Sequence, residues 1–286
     1  MPRTAHVLAL ASALLSAGAA VLIRQGLRSG TAYAGFWVNL AVGTVGVWLA
    51  VLAQGPAGAW RAEGVALFVL AGLVGTVAGR LLRFVSIDRV GASITTTLNG
   101  LAPFVASGLA ILLLGERVTL PVVAGTVVIV AGTALLSTSG RQVGFRARYL
   151  ALPILSTTCF GVVAILRKLG LGTMGPVPGF AVNLTTALVA FTAFLLVSGN
   201  RDALVCRGRS LPYFVAAGVA ENASVFLVLL ALSAGTVSVV APLAATAPIF
   251  ALLLSFLFLR GVERLSARLV LGTILCVLGV YLITAL

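Results

Sequence analysis

The chain has 286 residues, of which 60% are hydrophobic and only 9% are charged, and its mean hydropathy is +1.18. A soluble domain carries about a quarter charged residues, so this composition excludes a soluble enzyme or binding module. The net charge of +13 does not indicate nucleic-acid binding, because the basic residues stand singly between long apolar runs and form no hydrophilic face. The composition is that of an integral membrane protein.

Apolar runs separated by charged or Gly/Pro-rich breaks follow one another along the whole chain. A helix needs about 20 apolar residues to cross the hydrocarbon core of a bilayer. The sequence therefore predicts an all-α membrane protein with ten transmembrane helices and short connectors. The predicted spans are His6–Ile23, Tyr33–Ala53, Gly64–Ser86, Ala92–Leu114, Leu120–Leu136, Tyr149–Leu166, Val177–Val197, Leu211–Leu232, Val237–Leu259 and Ala267–Leu286.

The N-terminal segment has two interpretations. Arg3, an apolar stretch and the small residues from Ser16 to Ala19 resemble a cleavable signal peptide. However, the internal repeat described next pairs this segment with a later span, which a removable signal would not explain. We therefore interpret it as the first transmembrane helix.

The two halves of the sequence repeat each other. The stretch from Gly35 to Leu40 reads GFWVNL, and GFAVNL follows 144 residues later, from Gly179 to Leu184. Matches in all five pairs of spans keep the offset between 143 and 147 residues, a register that unrelated apolar helices would not hold. These matches include Gly18 with Gly161, Arg24 with Arg167, Phe68 with Phe214, Pro103 with Pro248, and Glu116 with Glu263.

Each repeat has five helices, and this odd number makes the second copy enter the membrane from the opposite side. Inverted repeats of this kind are typical of secondary transporters with a site near the bilayer midplane. We expect the first repeat at 1–138, a connector at 139–148 and the second, inverted repeat at 149–286.

Two matching segments carry a resemblance to a known family. The first runs from Ala102-Pro103 through Leu114-Gly115-Glu116-Arg117 to Gly125 and Gly132, and the second from Ala247-Pro248 through Glu263-Arg264 to Gly272 and Gly279. With these segments and the repeat, nearly the whole chain resembles the EamA-type transporters of the drug/metabolite transporter superfamily. The resemblance implies a ten-helix exporter or importer of small organic solutes that does not use ATP.

Glu116 and Glu263 lie in the tight connectors of these segments. We interpret each as structural, at the start of the next helix, where its charge meets the positive end of the helix dipole; a gating carboxylate is the alternative. Pro103 and Pro248 lie within predicted spans and should kink or break them, which favours positions facing protein or a cavity and a role in gating. The polar residues just before Pro103, with Asn99 the nearest, would add polar lining.

Glu221 is the candidate that most needs a functional explanation. Five of the six acidic residues fall in connectors or at helix ends, whereas Glu221 lies in the middle of a span. A carboxylate there must be protonated, paired or in contact with water. Helical spacing places it on one face with Gly218, Asn222 and Val225, and we expect this face to point into the bundle and away from lipid. We expect it to bind a cationic group of the substrate or to exchange a coupling proton, with a structural ion pair to Arg as the alternative.

Other polar residues within spans complete the predicted substrate site. Arg80 could pair with Glu221, hold an anionic substrate group or extend to the membrane surface. Asn39 and Asn183, on symmetric helices, are candidate hydrogen-bond partners of the substrate, or they join helices to each other. The cysteines and the single histidine have no metal-site spacing, and no nucleophile–base pair is evident, so we expect no metal, no cofactor and no enzyme activity.

The basic residues also predict an orientation. Assigning connectors alternately to the two membrane sides gives five Lys and Arg residues on one side and thirteen on the other. The positive-inside rule then puts both termini outside, whereas the family resemblance favours both inside.

Together these features predict a secondary transporter of small organic metabolites or drugs in a bacterial-type inner (plasma) membrane. We expect alternating access, export as the direction and a proton as the candidate coupling ion. The alternatives are a lipid-linked flippase of the same architecture and a non-transporting membrane sensor or structural subunit. A membrane-embedded enzyme is disfavoured, because the mid-span Glu has no histidine or second acid beside it.

Overall fold

The structure is a computed structural model, and it describes residues 3–54, 60–90, 98–137, 147–247, 249–250, 254 and 267–284. All regular secondary structure in these residues is helical. This agrees with the apolar runs, because a helix satisfies every backbone hydrogen bond within its own segment, as the interior of a bilayer requires.

The first half begins with two long helices, α1 (Arg3–Gly26) and α2 (Ala32–Gln54). The third span is one continuous helical rod in three parts: α3 (Ala62–Ala71), a π-helical segment (Gly72–Gly79) and α4 (Arg80–Val90). Next come α5 (Ala102–Leu114) and α6 (Leu120–Ser137). Gly115 ends α5 with a φ of 65°, a left-handed conformation that glycine adopts without strain.

The second half follows the same order. A 3₁₀ turn (Ala147–Leu150) leads into α7 (Ala151–Leu171), and α8 (Pro176–Val197) and α9 (Ser210–Ala234) follow with a 3₁₀ turn between them. The last described helices are α10 (Val237–Ala244) and α11 (Ala267–Thr284). Proline stands at the first position of α8, where its fixed φ suits the first helical turn.

Six helices of the described chain are long and apolar enough to cross a membrane, and they correspond to the first, second, third, sixth, seventh and eighth predicted spans. The fourth, fifth and tenth predicted spans correspond to shorter apolar helices. The ninth is helical over Val237–Ala244, and much of its remainder lies outside the described residues. The fold is therefore that of a helical, multi-pass membrane protein.

Pro103 lies in the first turn of α5 and not in the middle of a helix. The chain turns at Gly100 and Leu101, and α5 begins at Ala102, so the fourth span is broken just before the proline. Such a break agrees with the loss of a backbone donor at proline. Pro248 lies outside the described residues.

The two halves pack against each other through pairs of equivalent contacts, in which each half supplies to the other the residue that it also receives. Phe214 of α9 lies against Gly35 of α2, where an added Cβ would be 2.6 Å from the ring. Its counterpart Phe68 of α3 lies in the same way against Gly179 of α8. Both rings are fully buried, and each fills a space that only a glycine leaves open.

The N-terminal helix is part of this bundle. Its inward face consists of small residues, including Ala9 and Ala13, which are fully buried. Ser224 of α9 donates a hydrogen bond from Oγ to the backbone oxygen of Ser12 at 2.8 Å. Small side chains allow the two helix backbones to approach closely, which is how helices associate in a membrane.

Candidate functional site

Glu221 lies in the middle of α9 and faces two residues of the other half. Nδ2 of Asn39, on α2, donates a hydrogen bond to Oε2 of Glu221 at 2.9 Å. Nη2 of Arg80, at the start of α4, is 3.5 Å from Oε1. The side chains of Arg80 and Glu221 are only 13% and 21% exposed. The mid-span carboxylate is thus paired within the bundle, as its position in the sequence requires.

Asn39 connects the residues of this cluster. Its Oδ1 accepts hydrogen bonds from Arg80 Nη1 at 3.5 Å and from Asn222 Nδ2 at 3.2 Å, and its backbone oxygen accepts another from Asn222 at 2.9 Å. Asn222 also donates to the backbone oxygen of Gly218 at 2.7 Å, one turn earlier in α9. Four candidates from the sequence therefore form one network: Asn39, Arg80, Glu221 and Asn222.

Two glycines allow α2 and α9 to approach closely enough for this network. A Cβ at Gly43 would lie 2.5 Å from the Asn222 amide nitrogen. A Cβ at Gly218 would lie 3.2 Å from the Cα of Asn39. Neither space accepts a methyl group without moving the asparagines.

The π-helical segment sets the position of Arg80. The wider π turns leave backbone groups free for other partners, and such segments are frequent at functional sites. Here the oxygen of Gly79, the residue before Arg80, accepts a hydrogen bond from Ser156 Oγ of α7 at 3.0 Å. The Arg80 guanidinium also lies 5.8 Å from the centre of the Phe36 ring, a cation–π contact. Helices α2 and α7 thus hold the segment and its arginine from two sides.

Asn183, the repeat counterpart of Asn39, is the centre of a second network. Its Oδ1 accepts hydrogen bonds from Thr76 Oγ1 at 3.2 Å and from Arg167 Nη2 at 3.3 Å. Its Nδ2 donates to the backbone oxygen of Phe68 at 3.4 Å, where α3 approaches the π-helical segment. Each half therefore offers an asparagine to an arginine, but the carboxylate is present in one network only, because Gly75 stands where the other repeat has Glu221.

Two arginines that are not among the predicted site residues, Arg167 and Arg83, lie beside the site. Arg167 lies close enough to Arg80 for their charges to repel each other. Arg83, which is exposed, interacts electrostatically with both Glu221 and Arg80. The repeat match between Arg167 and Arg24 was the available signal. The predicted sixth span ends at Leu166, one residue before Arg167, whereas α7 continues to Leu171.

Asn99 lies at the break in the fourth span and contacts α7. Its Oδ1 accepts a hydrogen bond from Thr157 Oγ1 at 3.0 Å, and Thr157 is also 3.0 Å from the backbone oxygen of Leu98. Its Nδ2 is buried and has no hydrogen-bond partner among the described residues. Among the described residues, the hydrogen bond of Asn99 is to Thr157 and not to the Glu221 network, so Asn99 marks the helix break instead.

Glu116 occupies a helix N-terminus, but not that of the helix that follows it in the chain. Its Oε1 accepts the backbone N–H of Val237 at 2.9 Å, and its Oε2 accepts that of Ser238 at 3.1 Å. These are the first residues of α10, in the other half. The interpretation as a dipole cap therefore holds for a different helix from the one expected. Its counterpart Glu263 lies outside the described residues.

Lys168 binds the C-terminal end of α9, the helix that precedes α10. Its Nζ donates to the backbone oxygens of Leu232 and Gly235, both at 2.6 Å. A cation at the C-terminus of α9 and an anion at the N-terminus of α10 both complement the helix dipoles. We call Glu116, Lys168 and the α9–α10 turn (235–236) between them the clamp.

An apolar groove of about 210 Å³ opens between α2, α8 and α9. Gly43, Gly46 and Gly218 leave its space free, and Asn222 is its one polar side chain. Since Asn222 also bonds to Asn39, the groove borders the network around Asn39.

Comparisons with known proteins agree with this architecture. The sequence matches the EamA-like transporter family twice, over residues 3–138 and 148–285. One solved crystal structure superposes with a TM-score of 0.83 over 99% of this chain and 96% of its own length, at 17% sequence identity, so the two proteins share a fold. The comparison with curated protein sequences found no significant match.

Proposed function

The chain belongs to the EamA-like transporter family, and on this premise we propose that it is a secondary transporter that moves a small organic solute by alternating access. The observation that carries the proposal is the ion pair between Arg80 and Glu221, which lies inside the bundle and joins one half to the other. Ionisable residues within membrane spans are costly and usually serve a substrate or ion pathway.

Two inverted five-helix repeats are the arrangement we propose for the ten spans. Phe68 of the first half packs against Gly179 of the second, and Phe214 of the second half packs against the equivalent glycine of the first. This reciprocal contact supports a two-fold relation between the halves. In transporters built this way, one conformation opens the central site to one membrane face. When the two repeats swap conformations, the site opens to the other face.

Alternating access needs contacts between the halves that close one membrane face, and the clamp provides such contacts. Glu116 belongs to the first half and binds the N-terminus of α10 in the second. When the halves rock apart at this face, these hydrogen bonds must break, and when they close, the bonds form again. The Arg80–Glu221 pair lies deeper in the bundle and provides a polar site between the two faces.

The proposal also includes export across the cytoplasmic membrane with a proton as coupling ion and Glu221 as its carrier. The proposed location is a bacterial-type inner membrane, in which the positive-inside rule puts the side with thirteen basic residues in the cytoplasm. A flippase is the weaker alternative, because the groove between α2, α8 and α9 is apolar apart from Asn222, whereas a lipid headgroup needs a polar path.

Reconstitution tests this function. Purified protein in liposomes is assayed with a panel of radiolabelled amino acids, organic acids, amines and sugars, next to Glu221→Gln and the control Glu63→Gln. Glu63 is an exposed acid in the first turn of α3. We expect wild type and Glu63→Gln to move at least one solute and Glu221→Gln to lose most of that activity. Movement of fluorescent lipids without any solute would establish the flippase instead.

A further inference from the structure

Three arginines lie along the depth of the bundle. The start of α3 packs against the end of α7, since Phe68 lies against Gly170, and the end of the π-helical segment packs against the start of α7 through Gly79 and Ser156. The two rods are therefore antiparallel, and Arg167, four residues before the end of α7, lies near the face opposite to Arg83.

Arg80 lies between these two. It follows Thr76 by one turn of the rod, and Thr76 shares the Asn183 oxygen with Arg167. Arg83 follows Arg80 by three residues, so both project from the same face of α4. Electrostatic interaction links Arg83 to Arg80 and Arg80 to Arg167. The sequence of cations from one face to the other is thus Arg83, Arg80, Arg167, which we call the arginine column.

The column has more positive charge than the described side chains around it neutralise. Glu221 is the one carboxylate that pairs with it in the described part of the chain, and it contacts only Arg80 directly. Arg167 has a neutral amide as its hydrogen-bond partner, and Arg83 is exposed and interacts electrostatically with Glu221 and Arg80. Arg80 and Arg167 are partly buried cations that share one carboxylate, which is unfavourable inside a membrane bundle, and Arg83 lies exposed towards one face, so an anion that enters gains from all three.

We propose that the transported solute is a small organic anion, with a carboxylate or phosphate group that passes along the arginine column. This rests on the proposed transport function and names the substrate class of the same site. Arginine suits the task, because its planar guanidinium binds carboxylate and phosphate oxygens through two parallel hydrogen bonds.

Glu221 and the asparagines have a defined part in this passage. The distances of 3.5 Å from Arg80 to Glu221 and to Asn39 are long for charge-assisted hydrogen bonds, so these contacts are weak and a substrate oxygen can replace either partner. Glu221 then competes with the bound anion for Arg80 and helps to release it. Asn39 and Asn183 hold Arg80 and Arg167 in place without adding negative charge.

A cationic substrate fits this geometry less well. It would have to displace Arg80 and Asn39 from Glu221 and then remain beside three arginines. Like charges so close together in a low-dielectric environment repel strongly.

The test uses purified full-length protein in detergent and in liposomes. The probes are succinate and glycerol 3-phosphate as anions, putrescine and choline as cations, and glucose as a neutral solute. Ligand-induced thermal stabilisation measures binding, and uptake of each radiolabelled probe measures transport. The variants are Arg80→Gln, Arg83→Gln, Arg167→Gln, their Lys counterparts, and Glu221→Gln. Arg61→Gln is the control, because Arg61 is exposed and precedes α3 outside the bundle.

We expect at least one anion to bind and to be transported, and neither cation. Loss of a charge-assisted partner should weaken anion binding by about tenfold or more for each Arg→Gln change. Each Lys variant should restore part of the loss, and this also identifies a Gln variant that merely misfolds. Glu221→Gln should bind the anion more tightly but transport it more slowly.

Each other outcome has a definite meaning. Transport of putrescine or choline without either anion would overturn the anion assignment and leave the transport function standing. Anion transport that is unchanged in all three Gln variants would remove the column from the pathway. If no solute of any charge were moved, the proposed transport function itself would be rejected. Preference between succinate and glycerol 3-phosphate distinguishes a carboxylate from a phosphate substrate.

Discussion

The carboxylate of Glu116 accepts the backbone N–H of Val237 at 2.9 Å, although the two residues are 121 positions apart and lie in different halves of the chain. In the proposed alternating-access mechanism, this bond forms only when the halves are closed at this face. The state of this face can therefore be measured through Glu116.

We expect Glu116→Gln to loosen this face. The amide keeps the shape of the side chain, but it loses the charge and one of the two acceptor oxygens, which weakens a helix cap by about 0.5–2 kcal/mol. The reporter is a cysteine at Ser238, whose side chain is 2% exposed. Ser238→Cys should react with a water-soluble maleimide several times faster when combined with Glu116→Gln than alone. Glu63→Gln is the control, and equal rates in both backgrounds would contradict a gating clamp.

The close approach of α2 and α9 leads to a second prediction. Gly43→Ala should lower the free energy of unfolding by about 1–3 kcal/mol, because the new methyl group meets the Asn222 amide, which Asn39 and Gly218 hold on its other side. Gly46 lies one turn later on the same helix and has no heavy atom within 4 Å of an added Cβ. Gly46→Ala should therefore be neutral or stabilise by up to about 1 kcal/mol.

Thermal unfolding of the two alanine variants in the same detergent decides this prediction. A matched loss of stability in both would show that glycine is needed for helix flexibility and not for packing. Transport should fall in Gly43→Ala as well, because displacement of Asn222 also disturbs Asn39.

The third span shows what could be predicted from the sequence and what could not. Gly72, Thr76 and Arg80 follow one another at steps of four residues, so helical spacing alone places Arg80 on one face with small residues. The π-helical segment was not predictable, since its residues show the same spacing as an α-helix. It depends on tertiary partners such as Ser156, which is 77 residues away from the Gly79 oxygen that it binds.

Two further differences have the same origin. Arg167 looked like a connector residue because a charge normally ends an apolar run, but α7 continues past it, and Asn183 accepts its guanidinium within the bundle. The connector sequence correctly indicates that Glu116 caps a helix N-terminus. Which helix it caps, α10, depends on how the two halves pack. The repeat and the apolar pattern are local signals, whereas these partners depend on the complete fold.

Proton coupling through Glu221 gives a third prediction. An imposed pH gradient should accelerate solute movement in wild-type liposomes, and Glu221→Gln should remove this acceleration because the amide carries no exchangeable carboxyl proton. In the described part of the chain, the ionisable groups that face Glu221 are Arg80 and Arg83 of α4, with Arg167 beyond Arg80. Glu63→Gln should respond to the gradient like wild type. A gradient effect that persists in Glu221→Gln would assign coupling to another group.

The orientation of the chain can be tested with two exposed connector positions. Val205, which is 56% exposed, lies between α8 and α9, and Thr119 lies between α5 and α6. Counted along the ten proposed spans, these connectors are on opposite sides, and the excess of basic residues puts Val205 in the cytoplasm. In a variant without native cysteines, Thr119→Cys should therefore react with a membrane-impermeant maleimide on intact cells, and Val205→Cys only after permeabilisation. The reverse pattern would place both termini inside, as the family resemblance favours, and labelling of both positions in intact cells would contradict the ten-span topology itself.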